Sequence, residues 1–454
     1  PPSLMADRAL QERPVTWQEA LTHLAYGLET NFDTLKYRLA ERFHAGKPLM
    51  IVPYRGYGTP ARLYMKGRVL EDKPVASAAD NDTIWQNLAN MYRRLETNEV
   101  PGARVRVSAA GAQEEAVADE EGFFEVYLEP RRPLTPDGLW QPVRLELLAP
   151  QRERQGPVVA TGQVLVPLPS ARFVVISDID DTVIHTDATS LLRMARNVFL
   201  GNARTRLPFK GVAAFYRALF YGAGGHELNL LFYVSASPWN IFDLLSDFFN
   251  LREIPVGPVL FLRDWGLTQD EILPTDLRKY KLAAISKILE LYSALPFILL
   301  GDSGQADPEI YEEVVIAQPQ RVLAVHIRNV SRDPQRPEAI KALAQEVVAA
   351  GSTLILAENT SPMAEHAAAQ GWIAPAALAG IAAEKEADAA PPGKLETLFG
   401  REEKAESPTV VVKADTRAET HAAVESGAVE EALQAGDEET QKPPTVIVKG
   451  DSNS

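Results

Sequence analysis

Two hydrophobic rhythms divide the chain. Between Leu49 and Val166 apolar and polar residues alternate in short runs. These are LMIVPY (Leu49–Tyr54), ARLYMKGRVL (Ala61–Leu70), ARVRVSA (Ala103–Ala109), GFFEVYLE (Gly122–Glu129), VRLELLA (Val143–Ala149) and VVATGQVLV (Val158–Val166). A period of two buries one face of a strand, so this spacing predicts a small antiparallel β-sandwich or barrel, with turns such as RGYGTP and DEEG. From Phe173 the runs become continuously apolar and alternate with helical stretches. Strands are predicted at Phe173–Ile176, Leu228–Val234, Pro258–Leu262, Phe297–Leu300, Arg321–Ile327 and Leu354–Leu356. Helices are predicted at Trp239–Phe249, Leu277–Leu291, Asp307–Ala317 and Pro337–Ala350. Strands apolar on both faces, each followed by a crossover helix, define a parallel, doubly wound α/β sheet.

Helical spacing of Leu21, Leu24, Leu28, Leu35 and Leu39 predicts one or two helices between Thr16 and Phe43, and Asp80–Glu96 reads as a helical insertion. The expected organisation is therefore N-terminal helices (1–46), a β domain with the insertion (47–168), an α/β domain (169–380) and a tail (381–454). The tail is rich in Ala, Glu, Lys, Pro and Thr, lacks periodicity, and is expected to be disordered. Within it SPTVVVKAD (Ser407–Asp415) recurs as PPTVIVKGD (Pro443–Asp451), two β-prone strips suited to adding to a sheet edge.

Charge and composition narrow the picture. The chain carries 454 residues, no cysteine and a net charge of −15. Disulfides and thiol chemistry are excluded, which suits a reducing compartment. No apolar run approaches 18 residues, and PPSLMADRAL has no basic-then-apolar signal pattern. The expectation is a cytoplasmic protein that meets a membrane only from its surface. Ala188–His226 contains no acidic residue but six basic ones, Arg193, Arg196, Arg204, Arg206, Lys210 and Arg217. In an acidic chain such a segment suggests an anionic partner. No nucleic-acid partner is expected. The tyrosine- and glycine-rich turn Tyr54–Gly58 is the one feature of the β domain that invites a functional reading.

The apolar runs of the second half end on chemistry. VVISDIDDTV places Asp178, Asp180, Asp181 and Thr182 behind the first strand. Ser235-Ala236-Ser237 follows the second, Gly301-Asp302-Ser303-Gly304-Gln305-Ala306-Asp307 follows the fourth, and Lys279 and Lys281 open the preceding helix. Parallel strands deliver their carboxyl ends to one rim, so these groups should share a pocket. Carboxylates gathered there need a counter-charge, most simply a divalent cation on oxygen ligands. The set suits phosphoryl transfer, with a carboxylate as nucleophile, a second as acid and base, and a lysine and hydroxyl on the phosphoryl oxygens.

In order and spacing these motifs resemble the haloacid dehalogenase superfamily of aspartate-nucleophile phosphotransferases. The resemblance implies Asp178 as nucleophile, Asp180 as general acid and base, and Thr182 as the residue completing D-x-D-x-T. It also implies Ser235 and Lys281 on phosphate, Mg²⁺ held by Asp178, Asp180 and Asp302, and Asp307 as the partner of Asp302. Ser237 and Lys279 stay open as rivals of Ser235 and Lys281. More closely, DIDDTV, FYVSASPWN and GDSGQADPEIY look like the catalytic domain of the actin-patch-associated phosphatidate phosphatases of fungi and their bacterial relatives, over about Phe173–Val330. PYRGYG and GRVL upstream resemble that family more weakly. Its implied reaction is Mg²⁺-dependent hydrolysis of phosphatidate to diacylglycerol and phosphate. A soluble phosphomonoester, a phosphoprotein and a non-catalytic scaffold are the alternatives. The expected partners are an anionic bilayer, met by Arg193, Arg196, Arg204 and Arg206, and a protein bound by the tail strips.

Overall fold

The computed structural model describes residues 47–71, 99–152, 155–179, 182–183, 211–239, 242–263, 274–389 and 447–448. The segment expected to form N-terminal helices, the 80–96 insertion, Asp180, Asp181, the four arginines from Arg193 to Arg206, and the tail apart from 381–389 and 447–448 lie outside them.

The alternating segment forms one sheet of eight strands. They are β1 (Leu49–Pro53), β2 (Gly56–Thr59), β3 (Arg62–Glu71), β4 (Arg104–Ala109), β5 (Ala112–Val117), β6 (Phe123–Leu128), β7 (Trp140–Ala149) and β8 (Val159–Leu165). Their order is β1-β3-β2-β8-β7-β4-β5, with β6 also paired to β3. The buried members of the alternation, including Leu63, Met65, Val105, Val107, Leu128, Val143 and Leu145, make one apolar core. Arg104, Glu125 and Arg144 point the other way, to solvent. All pairings are antiparallel except β2–β8, which is parallel.

Two elements here differ from expectation. RGYGTP is not only a turn: its Gly56–Thr59 pairs with both β3 and β8. Bare α-carbons permit this, since a Cβ on Gly56 would stand 2.2 Å from the Tyr64 carbonyl oxygen. AQEEAV, too polar to read as a strand, is the edge strand β5, held by full register with β4.

The second sheet is parallel. Its strands are β9 (Val174–Asp178), β10 (Leu230–Pro238), β11 (Val259–Arg263), β12 (Phe297–Asp302), β13 (Val322–Arg328) and β14 (Leu354–Ala357), in the order β11-β10-β9-β12-β13-β14. Every residue of β9, β12 and β14 is buried, as continuous apolar runs require. The chain runs outward from β9 to β11, then returns to β12 on the other side of β9. The order therefore reverses between β9 and β12, the position at which ligands of open α/β sheets bind beyond the carboxyl ends. A two-residue strand, β15 (Ile447–Val448), joins the β14 edge antiparallel. It belongs to the second tail strip, so that strip does add to a sheet edge.

Among the described residues seven helices accompany this sheet: α1 (Val212–Tyr221), α2 (Phe242–Leu251), α3 (Pro274–Leu291), α4 (Asp307–Ala317), α5 (Arg336–Ala349), α6 (Thr360–Ala369) and α7 (Ala377–Ala389). α7 corrects the expected end of the folded chain near residue 380. Ile381 is buried, Glu384 accepts from the Ala214 amide at 2.8 Å and pairs with Arg217, and Lys385 donates to Asn359 and Ser361. AAEKEADAA has strong helix propensity but little hydrophobic contrast, which hides it from a periodicity reading. Arg217 thereby leaves the basic segment's pool of anion-seeking charges.

The Tyr54–Gly58 turn joins the two sheets. Tyr54 packs on Trp239 (centroids 4.4 Å) and Phe242 (4.8 Å), and Tyr57 meets Phe232 edge-on. Arg55 donates to Ser246 at 2.9 Å, and the Tyr292 hydroxyl donates to the Gly58 carbonyl. These contacts make the turn part of the packing between the two sheets.

Candidate active site

Asp178 ends β9 and is only 1% exposed. The chain turns at once: the Ile179 amide bonds the Val234 carbonyl, and the Val183 amide bonds the Ile179 carbonyl. This tight turn buries Thr182, whose hydroxyl meets no partner among the described residues. Beneath Asp178, the Ser177 hydroxyl lies 2.7 Å from both the Asp178 carbonyl and the Tyr216 hydroxyl. On the neighbouring strand Val234 stands opposite Asp178, so fully buried Ser235 comes one step further toward the rim. The Ser237 side chain is outside the described ones.

Lys281 reaches this point from α3. Its Nζ donates to Asp178 Oδ1 at 2.6 Å and also to Asp307 Oδ1. Burial alone would lower the ammonium pKa, but the Asp178 and Asp307 carboxylates outweigh it and hold the group above the ordinary lysine value. Lys281 therefore stays charged. Lys279, two residues earlier on the same helix, is exposed.

β12 supplies Asp302, and the first turn of α4 supplies Asp307. Asp302 Oδ1 accepts from the Gly304 and Gln305 amides at 2.6 and 3.0 Å, while Asp307 Oδ2 accepts from the Asp302 amide at 3.2 Å. The loop between them is fixed from outside. Arg336 donates to the Ser303 and Gln305 carbonyls and forms a two-pronged pair with Glu309. Ser303 Oγ accepts from the Val330 and Ser331 amides.

Asp178, Asp302 and Asp307 each bring a carboxylate oxygen within 4.8 Å of the others, all buried. Lys281 faces them, as does Arg328, which stands opposite Asp302 in the β12–β13 register. Burial lowers the Arg328 pKa to about 9, against the pull of Tyr216 and Asp302, and leaves it protonated at neutral pH. Three carboxylates this close repel one another in a dry place, where compensation by positive charge matters most. An all-oxygen donor set of this kind fits a hard divalent cation.

The structure thus gathers Asp178, Ser235, Lys281, Asp302 and Asp307, with Thr182 in the adjoining turn. Sequence reading missed Arg328. The signal was available, since LAVHIR is a further apolar run ending on a charged residue.

Residues 173–329 match the family model described as phosphatidate phosphatase APP1, catalytic domain. Phosphatidate phosphatase APP1 of Saccharomyces cerevisiae is 36% identical over 156 residues, 34% of this chain and 25% of that protein. An uncharacterized protein of Schizosaccharomyces pombe is 32% identical over 161 residues, 35% of this chain and 25% of its own length. The chain therefore spans about a quarter of the curated relatives it matches. The matched segment starts one residue before β9 and ends one beyond β13, so it holds every site residue named above. A solved structure of a protein of unknown function from Porphyromonas gingivalis W83 is 14% identical and covers 30% of this chain and 60% of that one. Its TM-score is 0.15, too slight a likeness to carry an argument.

Proposed function

We propose that the chain is a Mg²⁺-dependent phosphatidate phosphatase that works through an aspartyl phosphate on Asp178, in a doubly wound, haloacid dehalogenase-like domain preceded by a β-sandwich. The observation that carries this reading is the Asp178–Lys281–Asp307 contact beside Asp302, inside the segment similar to the APP1 catalytic domain.

Asp178, Asp302 and Asp307, with Asp180, would hold the cation. When bound, it offsets the repulsion between the Asp178 carboxylate and the phosphoryl oxygens. An Asp178 carboxylate oxygen attacks phosphorus, and the bond from phosphorus to the glycerol oxygen breaks as Asp180 gives that oxygen its proton. Asp180, now ionised, takes a proton from water while the water oxygen attacks phosphorus. The acyl phosphate bond breaks, releasing inorganic phosphate and restoring both aspartates. Lys281 and Ser235 hold the phosphoryl oxygens as charge moves onto them. Lys281 is already charged and oriented by Asp178, so little reorganisation is needed when phosphate arrives.

Arg193, Arg196, Arg204 and Arg206 would bring the rim to an anionic bilayer, each basic group near the surface contributing about 1 kcal/mol. Among the described residues no helix is long and apolar enough to cross a membrane. Attachment from the cytoplasmic side as a peripheral protein is the consistent arrangement.

The test is hydrolysis of phosphatidate in mixed micelles against soluble phosphomonoesters, with Mg²⁺ and with EDTA, for the unmodified chain and Asp178→Asn. The expected result is Mg²⁺-dependent release of phosphate with phosphatidate preferred, and its loss in the variant. Equal or better turnover of soluble esters would replace the lipid with a soluble substrate. Turnover surviving in Asp178→Asn would remove the mechanism.

A further inference from the structure

One tail strip rests on the parallel sheet, and its sequence occurs twice. β14 takes part in the sheet with alternate residues. The Thr353 and Ala357 carbonyls accept from the Val325 and Asn329 amides at 2.7 and 2.9 Å, so those positions face β13. By the alternation of a strand, Leu354 and Leu356 turn their backbone groups to the opposite edge. There Val448 stands opposite Leu354 and Ile447 opposite Ile355, antiparallel. An edge of four buried apolar residues, Leu354 to Ala357, is a template for another strand, and β15 answers it.

The segment holding β15 is Pro444-Thr-Val-Ile-Val-Lys-Gly-Asp451. Pro408-Thr-Val-Val-Val-Lys-Ala-Asp415 matches it at six of eight positions, and Val411 and Val412 stand where Ile447 and Val448 stand in the other. Strand addition draws affinity from the backbone and from β-propensity, so exchanging one β-branched residue for another leaves the ladder unchanged. We infer that the β14 edge is a strand-acceptor site for which the two strips of this chain are interchangeable ligands, one at a time.

The reach allows it. Val411 lies 22 residues beyond Ala389 at the end of α7, and Ile447 lies 58 beyond. At roughly 3.3 Å per residue the shorter tether spans about 70 Å, more than the width of a small domain. Its effective concentration is about fourfold higher, by the −3/2 power of tether length. With so small a gap neither strip has a decisive advantage from tethering.

The experiment is hydrogen exchange on the full chain, read at Leu354 and Leu356, for the unmodified protein, Val448→Pro, Val412→Pro and the double variant. Proline removes the amide that the ladder needs. The β12 amides Ile298–Leu300 report global opening. Slow exchange at β14 is expected in the unmodified chain and in each single variant. In the double variant protection should fall at least tenfold relative to β12, and excess SPTVVVKAD peptide should restore it. Fast exchange in the unmodified chain overturns the inference, as does a single variant as exposed as the double. So does a double variant that keeps β14 protected relative to β12. Protection in the single variants that rises with protein concentration also overturns it, since the strip would then come from a second copy.

Discussion

The two sheets place their polar residues in opposite ways. In the first sheet they lie along the strands: β4 alternates Arg104, Val105, Arg106, Val107, and its arginines pair with Glu115 on β5 in the open. Water screens those charges, and an exposed pair contributes little. In the second sheet both faces of β9 and β12 are buried, so polar residues have only the strand ends left. Asp178, Ser235, Asp302 and Arg328 all collect there, out of water, where each charge acts strongly on its neighbours. Burial on two faces concentrates chemistry at a rim, and burial on one face disperses it.

The sharpest way to break this contrast is to remove one charge from each sheet. Lys281→Ala leaves Asp178 and Asp307 buried without their shared ammonium, a change expected to cost about 3–5 kcal/mol of stability. Turnover should fall by about 10²-fold or more if Lys281 is the proposed donor to the phosphoryl oxygens. Arg106→Ala, whose partner Glu115 faces solvent, should leave both quantities within error. Denaturation midpoints and steady-state rates check the pair. The stability difference for Lys281→Ala should stay flat from pH 7 to 9. A group whose folded pKa is raised contributes fully below its unfolded value of about 10.4 and loses that contribution only as pH climbs through the folded value.

A second comparison removes apolar volume of the same size. Leu145 in β7 and Leu299 in β12 are both fully buried. Truncating either to alanine should cost about 2–5 kcal/mol. The expected difference lies in catalysis. Leu299 sits three residues before Asp302 on the strand that carries it, so Leu299→Ala should lower kcat of the folded fraction, whereas Leu145→Ala should leave kcat unchanged. Equal loss of kcat in both would mean that the first sheet supports the rim more directly than its packing at Tyr54 and Tyr57 suggests.

The same contrast explains what the sequence revealed. Asp178, Ser235 and Asp302 were legible because each interrupts an apolar run, and the run fixes where the rim must be. Lys281 was legible only with Lys279 as its rival, although the helix pattern could have separated them. Lys281 falls in line with Ile285, Ile288 and Leu289, the buried stripe of α3, at intervals of four, seven and eight, and Lys279 does not. Arg328 escaped because the motifs that the resemblance supplied stop before β13. β2 and β5 escaped for a different reason. Their partners make them strands, since Gly56 and Gly58 have no strand propensity and AQEEAV is almost wholly exposed. The Tyr54–Gly58 turn stood out for its composition, yet the composition of a turn does not say whether it faces water, a ligand or a neighbouring sheet.

The smallest effect isolates the second sheet by pH. Residues 47–168 contain no histidine, whereas His326 lies fully buried in β13. It stacks on Phe215, its Nε2 lies 3.3 Å from His366 Nδ1, and its Nδ1 meets no partner among the described residues. Burial, reinforced by His366, holds its pKa well below the ordinary histidine value. The folded chain therefore leaves His326 neutral at a pH where the unfolded chain protonates it. Stability should fall as pH drops below about 6.5, by at most about 1.4 kcal/mol per pH unit from this group, and be insensitive to it above. His326→Gln should flatten the slope between pH 6.5 and 5.5 while leaving the steeper loss below pH 5, where carboxylates titrate. Denaturant midpoints at three or four pH values measure it. An unchanged slope would mean that His326 takes up its proton inside the folded sheet, with His366 turning to accept from it.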